Sequence, residues 1–354
     1  MSLVIVEYSD LVSTKSDLSQ SLSDAYGEGS LGVIGIRNVP GFEPAKLDVL
    51  LQGHSIAHLP SETLKSLEDP ASLFNSGWSH GKEKLGDKPD FAKGSYYFNP
   101  LSDSPGTQQD RENYPVSYPR NIWPKDIPEF EPAAKKLGCL MHGVTAELAR
   151  HIDTFAVNNV PGYCADLGFA MKNTEKAKGR LLYYFPLSEE AVAENKPDSW
   201  IGWHNDSGFL TALAGDIYVD DATGQVVSCP DPEAGLYVAN RDGSEIKVNI
   251  PSDCLAIQLG ECVQIMTAGK LVATPHCVKG AKNSKIARIS HPVFIDTVPQ
   301  YKLRIPSGTT REEVIKRTVN SKVPTLADRF THDGMEFGEF LKVTFEKYYQ
   351  WQTK

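Results

Sequence analysis

The architecture of this chain is set by residues 203–213, which read Trp-His-Asn-Asp-Ser-Gly-Phe-Leu-Thr-Ala-Leu. Alternate side chains of a β-strand share a face, so His204 and Asp206 are expected to point the same way. The next histidine, His276 in Thr-Pro-His-Cys-Val (274–278), follows 70 residues later (276 − 206). It can lie beside the first pair only if the sheet folds back on itself, as in a jelly roll. The predicted fold is therefore mixed α and β, a double-stranded β-helix (jelly roll, cupin-like) core with flanking N- and C-terminal helices.

These three side chains form a donor set typical of a metal centre. Two imidazoles and one carboxylate can occupy one face of an octahedral Fe(II), which leaves three positions for O₂ and for a chelating acid. A His two residues from an Asp is common on strands, so a surface pair or a hydrogen-bonded core histidine is the alternative for the first two residues alone. The later histidine favours a metal site, which we predict at His204, Asp206 and His276 as the catalytic residues.

Arg288 and Ser290 obey the same two-residue period and begin 12 positions after His276 (288 − 276). A guanidinium and a hydroxyl on one strand face can hold a carboxylate together, the arginine with two N–H groups and the serine with one. The neighbouring apolar residues predict a buried strand, and a buried arginine needs an anionic partner. A bound dicarboxylate is one candidate partner, and a carboxylate of the protein is the other.

Short β-rich runs separated by turn residues fill positions 180–296, as expected of an antiparallel sandwich or barrel. Runs at 236–240 and 246–250 predict a hairpin with one buried face, because Ile246, Val248 and Ile250 alternate with polar residues. Further strands are predicted at 254–259, 263–266, 271–273 and 286–295.

Periodicity predicts the remaining elements. β-rich runs at 3–6 and 31–36 enclose Leu18, Leu22 and Tyr26 at helical spacing, which indicates a strand, a helix and a strand. Apolar residues at every third or fourth position predict one long amphipathic helix over 132–156. Shorter helices are predicted at 46–51, 62–67, 311–317 and 337–351.

Residues 75–126 are rich in Gly, Pro, Ser and aromatic side chains, which predicts a long irregular segment. Such a segment either covers a functional surface, as a lid or pocket wall, or is a packed excursion without ligand contact. The aromatic residues that could line a substrate pocket are Trp78, Tyr96, Tyr97, Phe98, Trp123, Tyr218 and Phe294.

Composition argues against several classes of protein. The 354 residues are 40% hydrophobic and carry a formal net charge of -9 without a Lys/Arg run, unlike a nucleic-acid binder. The six cysteines include no CxxC pair, which favours free thiols in a reducing compartment. No leader is evident, and no apolar run approaches the ~18 residues that span a bilayer. We therefore expect a cytoplasmic protein, monomeric by default, that acts on a small molecule and binds neither nucleic acid nor membrane.

Three blocks of the sequence resemble the isopenicillin N synthase-like 2-oxoglutarate/Fe(II)-dependent dioxygenases. Residues 203–213 look like the His-x-Asp segment of that family, and residues 288–294 look like its Arg-x-Ser-x-Pro-x-Phe strand. Residues 257–278 are similar to its Gly-Asp, apolar strand, turn and His-Arg-Val. The order and spacing of these blocks are specific, and weaker similarity at 31–39 and 179–186 extends the resemblance over nearly the whole chain.

This resemblance implies roles for six residues. The iron would be bound by His204, Asp206 and His276, and the distal carboxylate of 2-oxoglutarate by Arg288, Ser290 and Tyr184. The implied cofactors are Fe(II), 2-oxoglutarate as co-substrate and O₂, with ascorbate as an optional addition.

Four positions depart from the family pattern. Leu182 stands in place of Asn, Glu261 in place of Asp, Ala268 in place of Asn, and Cys277 in place of Arg. None of these departures removes a metal ligand.

The implied activity is that of a non-haem Fe(II) oxygenase, an oxidoreductase. It would couple oxidative decarboxylation of 2-oxoglutarate to hydroxylation, desaturation or cyclisation of a small organic substrate. One alternative is an isopenicillin N synthase-like oxidase that does not use 2-oxoglutarate, and another is a catalytically silent binding protein of the same fold. The expected organisation is a helical and strand region at 1–179, the iron and 2-oxoglutarate core at 180–300 and a helical segment at 301–354, integrated in one domain.

Overall fold

The computed structural model describes residues 1–85, 88–193, 200–229, 231–240, 242–283, 285–316 and 322–352. Its strands are Val4–Glu7 (β1), Val33–Arg37 (β2), Gly77–His80 (β3), Lys84–Leu85 (β4), Lys88–Pro89 (β5), Lys93–Phe98 (β6), Ala177–Tyr184 (β7), Ile201–His204 (β8), Leu210–Asp220 (β9), Val226–Val227 (β10), Gly235–Ala239 (β11), Glu245–Lys247 (β12), Cys254–Leu259 (β13), His276–Lys279 (β14), Ile286–Ile295 (β15), Lys302–Leu303 (β16) and Met335–Glu336 (β17).

The α-helices are Tyr8–Val12 (α1), Ser19–Tyr26 (α2), Phe42–Leu50 (α3), Gln52–Ala57 (α4), Ser61–Ser66 (α5), Gln108–Asn113 (α6), Phe130–Asn159 (α7), Leu167–Lys172 (α8), Glu189–Ala193 (α9), Glu261–Met266 (α10), Arg311–Lys316 (α11) and Phe337–Gln352 (α12). Short 3-10 helices lie at Pro70–Ser72 and Leu326–Asp328. No helix of the described part of the chain is both long enough and apolar enough to cross a membrane.

Two sheets face each other across the interior. The larger has the strand order β1-β2-β13-β9-β15-β7-β6-β3, with β10 paired to β9, and the smaller has the order β12-β11-β14-β8. Side chains of both sheets share buried clusters: Leu182 of β7 packs with Val278 of β14, and Val33 of β2 packs with Val238 of β11. This arrangement confirms the predicted mixed α and β fold with a jelly-roll core.

Helix α7 covers the outer face of the larger sheet. Its buried side chains, including Leu137, Val144 and Leu148, belong to the same core cluster as Ile257 of β13 and Ile289 of β15. Since alternate residues of a strand face opposite sides, the neighbours of Ile289 point away from the helix and into the space between the sheets. The long amphipathic helix predicted at 132–156 is confirmed, and it extends slightly beyond that range at both ends.

Several predicted elements are confirmed with small shifts in their bounds. The strand, helix and strand at the N-terminus are β1, α2 and β2, and the hairpin is β11 and β12, although β12 already ends at Lys247. The short helices predicted at 46–51, 62–67, 311–317 and 337–351 correspond to α3, α5, α11 and α12. Position 317 lies outside the described residues.

The strands predicted at 263–266 and 271–273 are wrong. The first is part of α10, all of whose residues are buried. A short apolar run that is buried on every side does not distinguish a strand from a core helix by its pattern. The second is irregular, and its backbone N–H groups donate outside a sheet, that of Val272 to Tyr26 O and that of Ala273 to Gln264 Oε1.

The irregular segment predicted at 75–126 is wrong in part, because β3 and β6 extend the larger sheet beyond β7. All six residues of β6 are buried. Tyr96 and Phe98 face the core around Phe130, while Lys93 and Ser95 occupy the alternate positions. The hydrophobic pattern did not predict this strand, because polar residues occupy one of its buried faces.

A β-bulge in β9 sets which of its side chains face the interior. Between Ser290 and Pro292 of β15, the paired residues of β9 change from Asp216 to Leu213, so β9 carries one extra residue there. Gly215 adopts a left-handed φ of 86° at this point, a conformation that favours glycine. The extra residue shifts the alternation by one, so Leu213 and Asp216 both line the space between the sheets.

The N-terminal region contributes β1, β2, β3 and β6 to the same sheet as β7, β9, β13 and β15 of the core. The division of the chain at 1–179, 180–300 and 301–354 stays a prediction.

Candidate metal and co-substrate site

The structure brings the three predicted metal ligands together at one end of the interior. Strand β14 pairs with β8 so that His276 lies directly opposite His204, with their ring centroids 4.1 Å apart. Asp206 lies in the loop beyond β8, and its Oδ1 is 3.8 Å from Nε2 of His276. One donor atom from each of the three side chains lies within 4.8 Å of the other two. This spacing lets the three side chains share one ion.

Hydrogen bonds at Nδ1 leave Nε2 of both imidazoles available. Nδ1 of His204 lies 2.9 Å from the carbonyl oxygen of Gly202, to which its N–H donates. Nδ1 of His276 lies 3.3 Å from Thr274 O and 2.7 Å from the side-chain amide of Gln258. A half-turn of that amide presents its oxygen, and Nδ1–H then has two acceptors. Such bonds orient metal-binding histidines and select the tautomer with a free Nε2 lone pair.

Burial determines the charges of these groups. It lowers the pKa of His204 to about 4, with the nearby His276 as a second cause, and it lowers the pKa of His276 to about 4. Both imidazoles are therefore neutral at pH 7 and able to bind a metal. Burial raises the pKa of Asp206, whose Oδ2 is buried and has no hydrogen-bond partner within the described residues. A divalent cation would satisfy this oxygen, so the donor set fits a bound Fe(II).

Arg288 and Ser290 lie on the interior face of β15, as their spacing predicted. Arg288 is only 7% exposed, and its Nε donates to Asp216 Oδ2 at 2.6 Å. Asp216 is thus the protein carboxylate that the sequence analysis considered as a partner of Arg288. Nη1 of Arg288, however, is buried and has no hydrogen-bond partner among the described residues. Because buried N–H groups are nearly always paired, this donor fits an anionic ligand in addition to Asp216.

Two tyrosines flank Arg288. Tyr184 of β7 and Tyr218 of β9 are its register partners on either side, and the guanidinium carbon lies 5.0 Å from the centre of the Tyr184 ring. This is a cation–π contact, which attracts the guanidinium to the face of the ring. The role of the Tyr184 hydroxyl as a donor to a ligand stays a prediction.

One cavity of about 340 Å³ connects the metal ligands with Arg288. Leu182, Leu213 and Val278 form apolar walls, while Arg180 and Phe294 line it as well. Its volume lies in the range of small-molecule sites, which are mostly apolar with a few converging polar groups.

The aromatic residues predicted to line a pocket divide into two groups. Tyr218 and Phe294 line the cavity, whereas Trp78, Tyr96, Tyr97, Phe98 and Trp123 do not. The rings of Tyr96, Phe98 and Trp123 pack around Phe130 of α7 instead. None of the described residues in 75–126 lines the cavity, so the packed alternative holds for this segment rather than a lid or pocket wall.

Sequence reasoning missed Asp216 and Gln258. Asp216 faces the cavity because of the bulge at Gly215, and no pattern in the sequence marked that bulge. Gln258 carried a usable signal, since it is the one polar residue in the apolar run 254–259. A polar side chain in such a buried strand needs a hydrogen-bond partner, and Gln258 finds it in His276.

Comparisons with known proteins agree with this geometry. Residues 180–297 match the family model described as the 2OG-Fe(II) oxygenase superfamily. No curated protein sequence matches the chain.

Solved structures resemble the chain over most of its length. One is a full-length Neurospora crassa protein in complex with alpha-KG and 5-formyluracil, at 17% identity and a TM-score of 0.69, covering 97% of this chain and 96% of that one. Another is AtDAO1, the dioxygenase for auxin oxidation 1 from Arabidopsis thaliana, with 2-oxoglutarate, at 16% identity and a TM-score of 0.59, covering 88% and 98%. A third is JOX2 in complex with 2OG, Fe and JA, at 15% identity and a TM-score of 0.62, covering 97% and 85%.

At these identities the structural likeness shows the fold, and the matched family model covers the segment that holds all six predicted site residues. The 2-oxoglutarate/Fe(II) resemblance is confirmed at the level of the superfamily, while the isopenicillin N synthase-like subfamily stays a prediction. Residues 180–297 thus match the 2OG-Fe(II) oxygenase superfamily.

Proposed function

We propose that this protein is a 2-oxoglutarate/Fe(II)-dependent dioxygenase that oxidises a small organic molecule. The observation that carries the proposal is one cavity with two incomplete ends. The metal ligands converge within 4.8 Å around an unpartnered Asp206 Oδ2 at one end, and Arg288 offers an unpartnered Nη1 at the other, among the residues that the structure describes. A metal ion would complete the first end and a ligand carboxylate the second. A dicarboxylic keto acid bound to the metal could supply that carboxylate and so connect the two ends.

His204, Asp206 and His276 would hold Fe(II) through the two Nε2 atoms and the carboxylate. Bound there, iron and 2-oxoglutarate supply the O₂ activation and the oxidative decarboxylation that amino acid side chains lack. The chain itself fixes the ligand geometry through the Nδ1 hydrogen bonds and buries the side chains of Asp206 and His276.

Arg288 and Ser290 would bind the distal carboxylate of 2-oxoglutarate. Nη1 of Arg288 is free to donate, and the Ser290 hydroxyl shares its strand face. The Tyr184 ring contacts the guanidinium, and we assign its hydroxyl as a further donor once the ligand is present. Arg–carboxylate contacts of this kind favour a dianionic co-substrate over neutral molecules.

We assign the prime substrate to the part of the cavity next to the metal ligands. Arg180, Leu182 and Phe294 are among the residues that line this cavity. The Neurospora crassa protein is solved with 5-formyluracil and JOX2 with JA, which supports a small organic molecule here as well. Hydroxylation, desaturation and cyclisation are all open to such a site. Ascorbate dependence, a monomeric state, a cytoplasmic location, independence of membranes and the lack of nucleic-acid binding stay predictions.

The experiment is an anaerobic titration of 2-oxoglutarate into the Fe(II)-loaded protein, followed by the visible absorption band of an iron-chelated keto acid. We expect a saturable band, abolished by His276→Ala and weakened by Arg288→Ala, with His332→Ala as a matched control at an exposed histidine. In air, the wild type should then release succinate from 2-oxoglutarate.

The alternatives predict different outcomes. Iron binding without a 2-oxoglutarate band would favour an isopenicillin N synthase-like oxidase in which the Arg288 end holds a substrate carboxylate. No iron binding would favour a catalytically silent binding protein of the same fold.

A further inference from the structure

Asn205, the residue between two of the proposed metal ligands, is tied to elements outside the facing sheets. Its backbone N–H donates to the hydroxyl of Tyr348 in α12 at 2.9 Å. Its side-chain Nδ2 donates to Glu261 Oε1 at 2.8 Å. Asn205 is buried and does not line the 340 Å³ cavity.

Glu261, the first residue of α10, holds the same loop a second time through its backbone. Its N–H donates to the carbonyl oxygen of Asp206 at 2.8 Å, and the next N–H, of Cys262, donates to Gly208 O at 3.0 Å. Glu261 stands where the resembling family has Asp. The longer side chain lets one residue hold Asp206 by its backbone and Asn205 by its carboxylate.

Arg329 completes this connection from the C-terminal part of the chain. Its Nη1 and Nη2 donate to the two carboxylate oxygens of Glu261, the latter at 2.6 Å, and both side chains are 0% exposed. Further bonds run from Nη2 to Pro324 O at 3.0 Å and from Nε to Thr325 O at 3.3 Å. All three guanidinium nitrogens of Arg329 are therefore hydrogen-bonded, and these bonds hold the guanidinium in one orientation.

A buried ion pair of this kind adds little net stability, because removing both charges from water offsets their attraction. Its physical effect here is on geometry. Strand β8 ends at His204, so Asp206 is held by no sheet ladder, and its position depends on the contacts that Glu261 and Asn205 make with the loop. Metal sites require their ligands to be held within about 0.5 Å, and the outer contacts supply that constraint.

We propose that residues 322–352 hold the metal-binding loop in place, with Glu261, Arg329 and Tyr348 acting as positioning residues for Asp206. This inference rests on the proposed function, because it concerns the same metal site. Glu261, Arg329 and Tyr348 do not line the 340 Å³ cavity, so they act through Asn205 and the Asp206 backbone rather than on the reacting molecules.

Tyr348→Phe is the mildest test, because it removes one hydroxyl and retains the ring. We expect Fe(II) to dissociate about 10-fold faster into excess chelator, at the lower end of the usual effect of outer contacts. Tyr163→Phe is the matched control, since it also removes one hydroxyl. That hydroxyl donates to Asp153 Oδ1 at a distance of 2.5 Å, and the pair is not part of the metal site. The thermal unfolding of the two apoproteins shows whether either substitution disturbs the fold.

Two further variants test the ion pair. The double substitution Glu261→Gln with Arg329→Met removes both charges, so no lone charge stays buried, and we expect metal affinity to fall by about 10- to 100-fold. Glu261→Asp retains the charge and the backbone contact and should recover part of that loss. The absorption band of the Fe(II)–2-oxoglutarate complex should change in energy in the double variant and in Tyr348→Phe but not in Tyr163→Phe.

Unchanged metal dissociation and an unchanged band in folded Tyr348→Phe and double variants would overturn the inference, as would equal effects in Tyr163→Phe. Failure of the proposed function has a different signature, because the wild type itself would then bind no Fe(II) or show no 2-oxoglutarate band.

Discussion

Arg288 and Arg329 are both almost fully buried beside a carboxylate, yet their surroundings differ. Arg329 meets Glu261 with two nitrogens and backbone carbonyls with the rest, and neither member of that pair is exposed. Arg288 meets Asp216 with Nε alone, Nη1 has no partner among the described residues, and the Asp216 side chain is 32% exposed.

The difference separates a structural arginine from a binding one. A guanidinium whose three nitrogens are all hydrogen-bonded holds its neighbours, whereas one with an unpartnered nitrogen facing a cavity has a donor for a ligand. Five substitutions break or sharpen this comparison, and the first should have the largest effect on free energy.

Arg329→Met should lower the free energy of unfolding of the apoprotein by about 3–5 kcal/mol, because it leaves the Glu261 carboxylate buried and unpaired. Arg288→Met should change it by less than about 1 kcal/mol, because the partly exposed Asp216 can be hydrated instead. Urea unfolding of the two variants measures both values. Equal losses would contradict the distinction between the two arginines.

Arg288→Met should weaken the binding of 2-oxoglutarate to the Fe(II)-loaded protein by about 10- to 100-fold. A hydrogen bond to a charged group contributes about 1.5–3 kcal/mol, and the distal carboxylate would lose its cation. Arg288→Lys retains the positive charge without the planar guanidinium, so its affinity for 2-oxoglutarate should lie between those of the wild type and Arg288→Met. An affinity in Arg288→Met equal to that of the wild type would remove this residue from the co-substrate site.

His291→Leu tests whether every buried nitrogen without a hydrogen-bond partner marks a ligand site. Both ring nitrogens of His291 lack a partner within the described part of the chain. His291 borders the 340 Å³ cavity, but its ring stacks on Phe98, with the centroids 5.4 Å apart. We expect Fe(II) and 2-oxoglutarate binding to stay unchanged. Loss of either would show that His291 takes part in binding.

The same substitution should reduce the sensitivity of the apoprotein to acid. Burial lowers the pKa of His291 to about 4, below the roughly 6.5 of an unfolded chain. Between these values the unfolded state binds more protons, so stability falls as the pH drops from about 6.5 towards 4. His291→Leu should therefore lose about 1–2 kcal/mol less than the wild type between pH 7 and pH 5, measured by urea unfolding. An identical loss in both proteins would contradict the low pKa.

Asp216→Asn should have a small effect on 2-oxoglutarate binding, opposite in sign to that of Arg288→Met. The amide oxygen can still accept the hydrogen bond from Arg288 Nε, but the negative charge near the distal carboxylate is gone. We expect 2-oxoglutarate to bind two- to fivefold more tightly, a gain of about 0.5–1 kcal/mol in a partly exposed setting. Weaker binding would show that the Asp216 charge is needed to orient the guanidinium.

Local patterns were sufficient for the elements and residues that repeat at short range. The two-residue period placed Arg288 and Ser290 on one face, and the three- and four-residue period predicted α7 to within a few residues. The same patterns failed at 263–266, where every face is buried, and at β6, where polar residues occupy a buried face. Hydrophobic periodicity predicts a helix or strand when one face is apolar and the other polar, and these two segments lack that difference.

The sequence by itself determined which donor types this protein carries and in what order, because His204, Asp206, His276 and Arg288 stand in a pattern that few architectures can bring together. Tertiary structure alone decided which buried groups are free to act. The bulge at Gly215 turned Asp216 toward Arg288, and the C-terminal segment placed Arg329 on Glu261. These outcomes depend on pairs 72 and 68 residues apart, and no local periodicity encodes how a distant chain segment satisfies a charge.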